Sequence, residues 1–86
     1  MRIKSGFVLQ KLIDDNVVVP IGEESNRDFI LSLSKTATFL WEALKTERTE
    51  TELVDMLTAA YDVDPDEAAS DVSDFIRSLE SVGCLA

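Results

Sequence analysis

The feature that most constrains this chain is an abrupt change of period. Up to Leu33 the apolar residues alternate as in β-structure. From Ser34 onward they recur at steps of three and four, and no linker separates the two regimes. The switch follows Asp28-Phe29-Ile30-Leu31-Ser32-Leu33, five of whose six residues suit a strand, and runs straight into Ser34-Lys35-Thr36-Ala37-Thr38-Phe39-Leu40-Trp41. Such a chain is a small sheet hinged directly onto a helical bundle. A strand at the border of a sheet keeps one side unpaired, and an extended partner can add there.

Two earlier strands precede the hinge. Phe7-Val8-Leu9-Gln10-Lys11-Leu12-Ile13 and Val17-Val18-Val19-Pro20-Ile21 read as a hairpin closed at Asp14-Asp15-Asn16, where Asn16 can take a positive φ. Pro20 has no N–H for a ladder and belongs at a strand end. Residues 22–27 form a polar loop. Val17 and Val19 point to one face and Val18 to the other, so both faces of the sheet call for a cover, and for the second face that is a partner or another copy in a homodimer.

The helices are marked by their caps. Ser34 caps a helix to about Leu44 that buries Ala37, Leu40, Trp41 and Leu44. Thr49-Glu50-Thr51-Glu52 is a capping box opening a second helix with Leu53, Leu57, Ala60 and Tyr61 inward. Asp64-Pro65-Asp66-Glu67 joins an N-cap, a first-turn proline and early acids to a third helix that runs to about Val82 and stops at Gly83. On that helix Ala68, Ala69, Val72, Phe75, Ile76, Leu79 and Val82 span roughly 140° at about 100° per residue. One packing stripe needs only about 100°. The helix is therefore wedged between the second helix and the sheet, with one margin free to line a groove beside the third strand. The expected fold is α+β, a three-stranded antiparallel sheet followed by three helices, as in a winged helix-turn-helix.

Composition narrows what this fold can do. With 86 residues, 45% of them hydrophobic, the chain reads as one domain over residues 1–86. No apolar run approaches the roughly 20 residues of a membrane helix, and the basic N-terminus lacks the apolar core of a signal peptide. A cytoplasmic location is the expectation. There is no histidine, so imidazole-based triads and most catalytic zinc sites are out of reach. The single cysteine, Cys84, supports neither a disulfide framework nor a cysteine-based metal site within one chain. Asp62-Val63-Asp64-Pro65-Asp66 resembles the start of a calcium loop, but Glu67 stands where glycine is required and Ser73 at the twelfth position. It is a helix cap. The reading holds no catalytic residue, metal ligand or cofactor.

Charge separates the two function classes that remain. Residues 1–48 carry seven basic and seven acidic side chains, whereas residues 49–86 carry Arg77 against ten acidic ones and so hold the whole net charge of −9. A winged helix suggests DNA binding, but residues 65–82, the would-be recognition helix, hold five acidic residues and only Arg77. DNA affinity rests heavily on Lys and Arg neutralising phosphates, so this helix is repelled. The alternative is a peptide-binding module. An extended ligand adds along the edge at residues 28–33, and a neighbouring apolar groove reads its side chains.

The ordered set of Val17-Val18-Val19-Pro20, Ile30-Leu31-Ser32-Leu33 leading into residues 34–44, Thr49-Glu50-Thr51-Glu52-Leu53-Val54, Tyr61-Asp62-Val63-Asp64, Asp71-Val72-Ser73-Asp74-Phe75 and Leu79-x-x-x-Gly83-x-Leu85 resembles the PqqD-like family. The match spans nearly the whole chain and lies in spaced apolar and cap residues, with no catalytic signature. One departure is Ser34, where the family often has Asn; either residue can cap. The resemblance implies a recognition element for ribosomally synthesised, modified peptides. There the leader segment of a precursor peptide adds against the third strand and lies over the third helix. The complex is then presented to a modifying enzyme, often a radical S-adenosylmethionine enzyme, to which the metal and cofactor chemistry belongs. Carried onto this chain, the implied site is the backbone of Asp28, Phe29, Ile30, Leu31, Ser32 and Leu33 together with the helix face around Val72, Phe75, Ile76 and Leu79.

Overall fold

A computed structural model describes residues 1–24 and 30–86. Its order is β1 (Phe7–Lys11), β2 (Asn16–Pro20), a 3-10 turn (Gly22–Glu24), β3 (Leu31–Leu33), α1 (Lys35–Ala43), α2 (Glu50–Ala60) and α3 (Pro65–Val82). The sheet is antiparallel in the order β1-β2-β3, so the fold is α+β with the expected succession of elements.

The hairpin register pairs Phe7 with Pro20 and Lys11 with Asn16. Pro20 thus sits at the strand end, where its missing donor costs nothing to the ladder interior. β1 stops at Lys11, two residues short of the expected end. Leu12 and Asp15 close the turn, with the Leu12 N–H donating to the Asp15 carbonyl at 2.7 Å. Leu12 and Ile13 lie beyond the strand and are exposed, Ile13 fully. Asn16 belongs to β2, and no residue other than glycine takes a positive φ among the described residues, so the expected left-handed Asn16 does not occur.

β3 is shorter than expected as well. It pairs Leu31 with Val18 and Leu33 with Asn16, and Ile30 falls just outside it, 71% exposed. Two positions further along β2 stands Pro20, which has no N–H to offer a longer partner. Asp28 and Phe29 lie outside the described residues.

The pleat turns Val18 to one face of the sheet and Val17, also buried, to the other. Phe7, Val18 and Leu33 share the inner face and are buried, with Leu9 and Leu31 packed beside them. Onto this face pack Leu40, Trp41 and Leu44 of the first helix and its cap, Leu53 and Leu57 of α2, and Ala68, Val72, Phe75, Ile76 and Leu79 of α3, forming one contiguous cluster. Within it no buried polar side chain occurs among the described residues. Ala60 and Ala69, expected inward, are exposed, and Ala37 and Tyr61 are half-buried. A methyl group at the margin of a stripe gains too little from burial to decide how a helix rolls.

Every expected cap forms. Ser34 accepts the Ala37 N–H at 3.1 Å. Thr49 and Glu52 exchange both bonds of the capping box, at 2.9 and 3.1 Å. Asp64 accepts the Asp66 N–H at 2.8 Å, and Gly83 ends α3 in the left-handed region at φ 74°. Beyond it the chain returns to its own beginning. Ile3 and Leu85 form an antiparallel bridge, and the Lys4 N–H donates to the Cys84 carbonyl at 2.7 Å. This seam was not anticipated from the sequence. α3 packs chiefly on α2 and shares the buried cluster with the inner face of the sheet, while a gap runs between one flank of it and β3.

Candidate functional site

That gap is a groove of about 350 Å³. One wall is Leu31, Ser32 and Leu33 of β3. Ser34, Thr36, Ala37 and Leu40 close one end, and the far wall is Asp71, Asp74, Phe75 and Ser78 of α3. Ser34 makes the corner. Its backbone is still extended while its carbonyl already accepts the Thr38 N–H and hydroxyl, both at 2.8 Å. The strand therefore turns into the helix within one residue, and the first turn of α1 stands directly beside β3.

β3 has β2 on one side and no strand on the other among the described residues. Successive main-chain groups of such a strand face alternately the neighbour and the open side. Three residues offer an edge of about 10 Å. The open edge and the groove are adjacent, so an extended segment added to β3 lies over the groove with alternate side chains pointing in.

The structure brings together only some of the residues expected here. Leu31, Ser32, Leu33 and Phe75 line the groove. Ile30 stands next to it, exposed, and Asp28 and Phe29 lie outside the described residues. Val72, Ile76 and Leu79 do not line it: Val72 and Leu79 are wholly buried and Ile76 is 7% exposed. They hold α3 in place from behind. Asp71, Asp74 and Ser78 were missed. With Phe75 they stand at i, i+3, i+4 and i+7, one helical face. The sequence does not single out this flank: Val72 and Leu79 lie one turn from Phe75 and Ile76 alike, and each of the two also has a polar flank, Asp71, Asp74 and Ser78 beside Phe75 and Ser73 and Glu80 beside Ile76.

The groove thus has an apolar floor and an acidic wall, and no basic side chain lines it among the described residues. Arg77, one turn along, meets Asp74 at 3.5 Å on the open surface. No group of residues is placed to hold a metal ion among those described, and no helix among them is long and apolar enough to cross a membrane. A second hollow, about 600 Å³, lies among Asp14, Asp15, Asn16, Phe39, Glu42 and Tyr61. It touches β3 only at Leu33, so it does not follow the open edge.

Comparison with known proteins places this geometry. The chain is similar to the structure of TbiB1 in complex with the TbiA(beta) leader peptide, at 25% identity and a TM-score of 0.77, over 99% of this chain and 94% of that one. It also shares the fold of lasso peptide synthetase B1 complexed with the leader peptide, at 18% identity and a TM-score of 0.76, over 96% of this chain and 93% of that one. A search of curated proteins found no match. The family model described as coenzyme PQQ synthesis protein D matches residues 17–85, from the second strand to the seam behind α3. The chain therefore belongs to the PqqD family.

Proposed function

We propose that residues 1–86 form a single, non-catalytic recognition domain that binds the leader segment of a ribosomally made precursor peptide in the cytoplasm and presents it to a modifying enzyme. The observation that carries this reading is the unpaired edge of β3 lying directly over a groove with an apolar floor. Strand addition draws affinity from main-chain bonds and specificity from alternate side chains, and this site offers both. The family match and the leader-bound neighbours support the same reading. The peptide's backbone pairs with residues 31–33, its inward side chains rest on Leu31, Leu33 and Phe75, and Val72, Ile76 and Leu79 fix the wall behind. Nothing favours DNA, because α3 turns acids toward the groove and toward solvent.

Calorimetric titration with the unmodified precursor peptide encoded beside this chain's gene tests the reading, using Leu31→Pro and Ser32→Pro. These neighbours have opposite parity in the ladder. The variant that loses a bond to β2 is destabilised. The other stays folded, and its affinity falls by about 1 kcal/mol for the lost bond, more if the ring obstructs docking. Full-strength binding by both variants rules out β3 as the docking edge.

A further inference from the structure

We infer that the groove selects a peptide carrying a lysine or arginine, read by Asp71 and Asp74. The inference rests on the leader-binding reading and specifies the ligand's chemistry. Both carboxylates line the wall facing β3, and among the described residues no cationic side chain lines the groove with them. Asp71 is half-buried and makes no ion pair among the described residues. Asp74 has Arg77 at 3.5 Å, with the two side chains 77% and 68% exposed, a pairing that solvent screens and that a ligand can replace. Residues three apart on a helix stand about 5–6 Å from each other, so the two carboxylates repel and both gain from one shared cation.

The floor selects the kind of cation. Leu31, Leu33 and Phe75 present apolar surface between the strand edge and the acids. A side chain leaving a peptide strand on β3 must cross that surface to reach the carboxylates. Lysine and arginine do this, with the aliphatic stem on the floor and the charged head at the rim. Arginine adds the geometry for a paired contact with a carboxylate. A short or acidic side chain at that position leaves Asp71 without a counter-charge beside a dehydrated ligand.

The general field of a chain with net charge −9 also attracts basic peptides, so the test must separate field from contact. Glu80 supplies the control: it lies on α3, is exposed, and does not line the groove. A displayed library of short random peptides is selected on the wild-type chain, on Asp71→Asn/Asp74→Asn and on Glu80→Gln. Selected peptides are then synthesised with and without the basic residue and titrated against all three, together with the folded proline variant of β3. We expect lysine or arginine enriched at one fixed position of peptides that require the β3 edge. The enrichment is lost in Asp71→Asn/Asp74→Asn and kept in Glu80→Gln, and removing the basic residue weakens wild-type binding about tenfold. Peptides that need β3 but show no basic preference, or a preference lowered equally by Glu80→Gln, overturn this inference and leave leader binding standing. Failure of the wild-type chain to select any peptide that needs β3 overturns the leader reading and this inference with it.

Discussion

Phe75 and Ile76 are consecutive, apolar and almost equally buried, at 6% and 7% exposure, yet they belong to different surfaces. About 100° of helix rotation separates them. Both have the wholly buried Val72 and Leu79 one turn away, but Ile76 lines no part of the groove. Phe75 has Asp71 and Ser78 one turn away and Asp74 beside it, and it forms the floor of the groove. Degree of burial therefore does not tell a core residue from a site residue on this helix. What decides is whether the neighbouring wall is packed, as at α2, or left apart, as at β3.

Substitution can break this contrast. The largest effect is expected from Ile76→Ala. Truncating a buried Ile costs about 2–5 kcal/mol, which threatens a domain whose whole stability is of order 5–15 kcal/mol. Chemical denaturation should show a lower midpoint, and the fraction that remains folded should bind peptide with unchanged affinity. Phe75→Leu should behave the other way. It keeps an apolar side chain in the core, so the loss of stability is smaller, while the reshaped floor weakens peptide binding in a chain that titration can still assay as folded. If both variants lower the denaturation midpoint and neither changes the affinity of folded protein, the two flanks of α3 are equivalent and the groove has no role.

A change remote from the groove sharpens the contrast by showing what lost stability alone does. Thr49→Ala removes the side-chain half of the α2 capping box, a cost of about 1 kcal/mol, with peptide affinity unaltered below the melting transition. The smallest effect should come from pH. The backbone bond from the Thr49 N–H to Glu52 holds the carboxyl of Glu52 below its ordinary pKa. Its contribution is therefore complete above that ordinary value and fades as the pH falls through the lowered one. Glu52→Gln should flatten that part of the acid limb in thermal melts. An unchanged limb would assign it to other carboxylates.

The sequence was most legible where structure is local. The strand-to-helix switch at Ser34, the capping box at Thr49, the proline-led start at Pro65 and the stop at Gly83 each depend on residues within one turn, and all stand where the pattern put them. Errors gathered where a segment's fate depends on what lies opposite. Leu12, Ile13 and Ile30 are apolar enough for strands, but β1 and β3 end where their pairing with β2 ends. The seam between Ile3 and Leu85 joins opposite ends of the chain and leaves no mark in either segment alone.

The candidate site divides along the same line. Alternation, caps and the wide apolar stripe of residues 68–82 determined by themselves that the chain would hold a short last strand and a long acidic helix with one apolar face, because each is a property of near neighbours in the chain. Which flank of that helix faces the strand, and hence that Asp71, Asp74 and Ser78 replace Val72, Ile76 and Leu79 as lining, was decided only in the tertiary structure. A stripe wider than one packing surface can roll either way. Its rotation is set by the sum of contacts that α3 makes with α2 and the rest of the core, and no short stretch of sequence contains that sum.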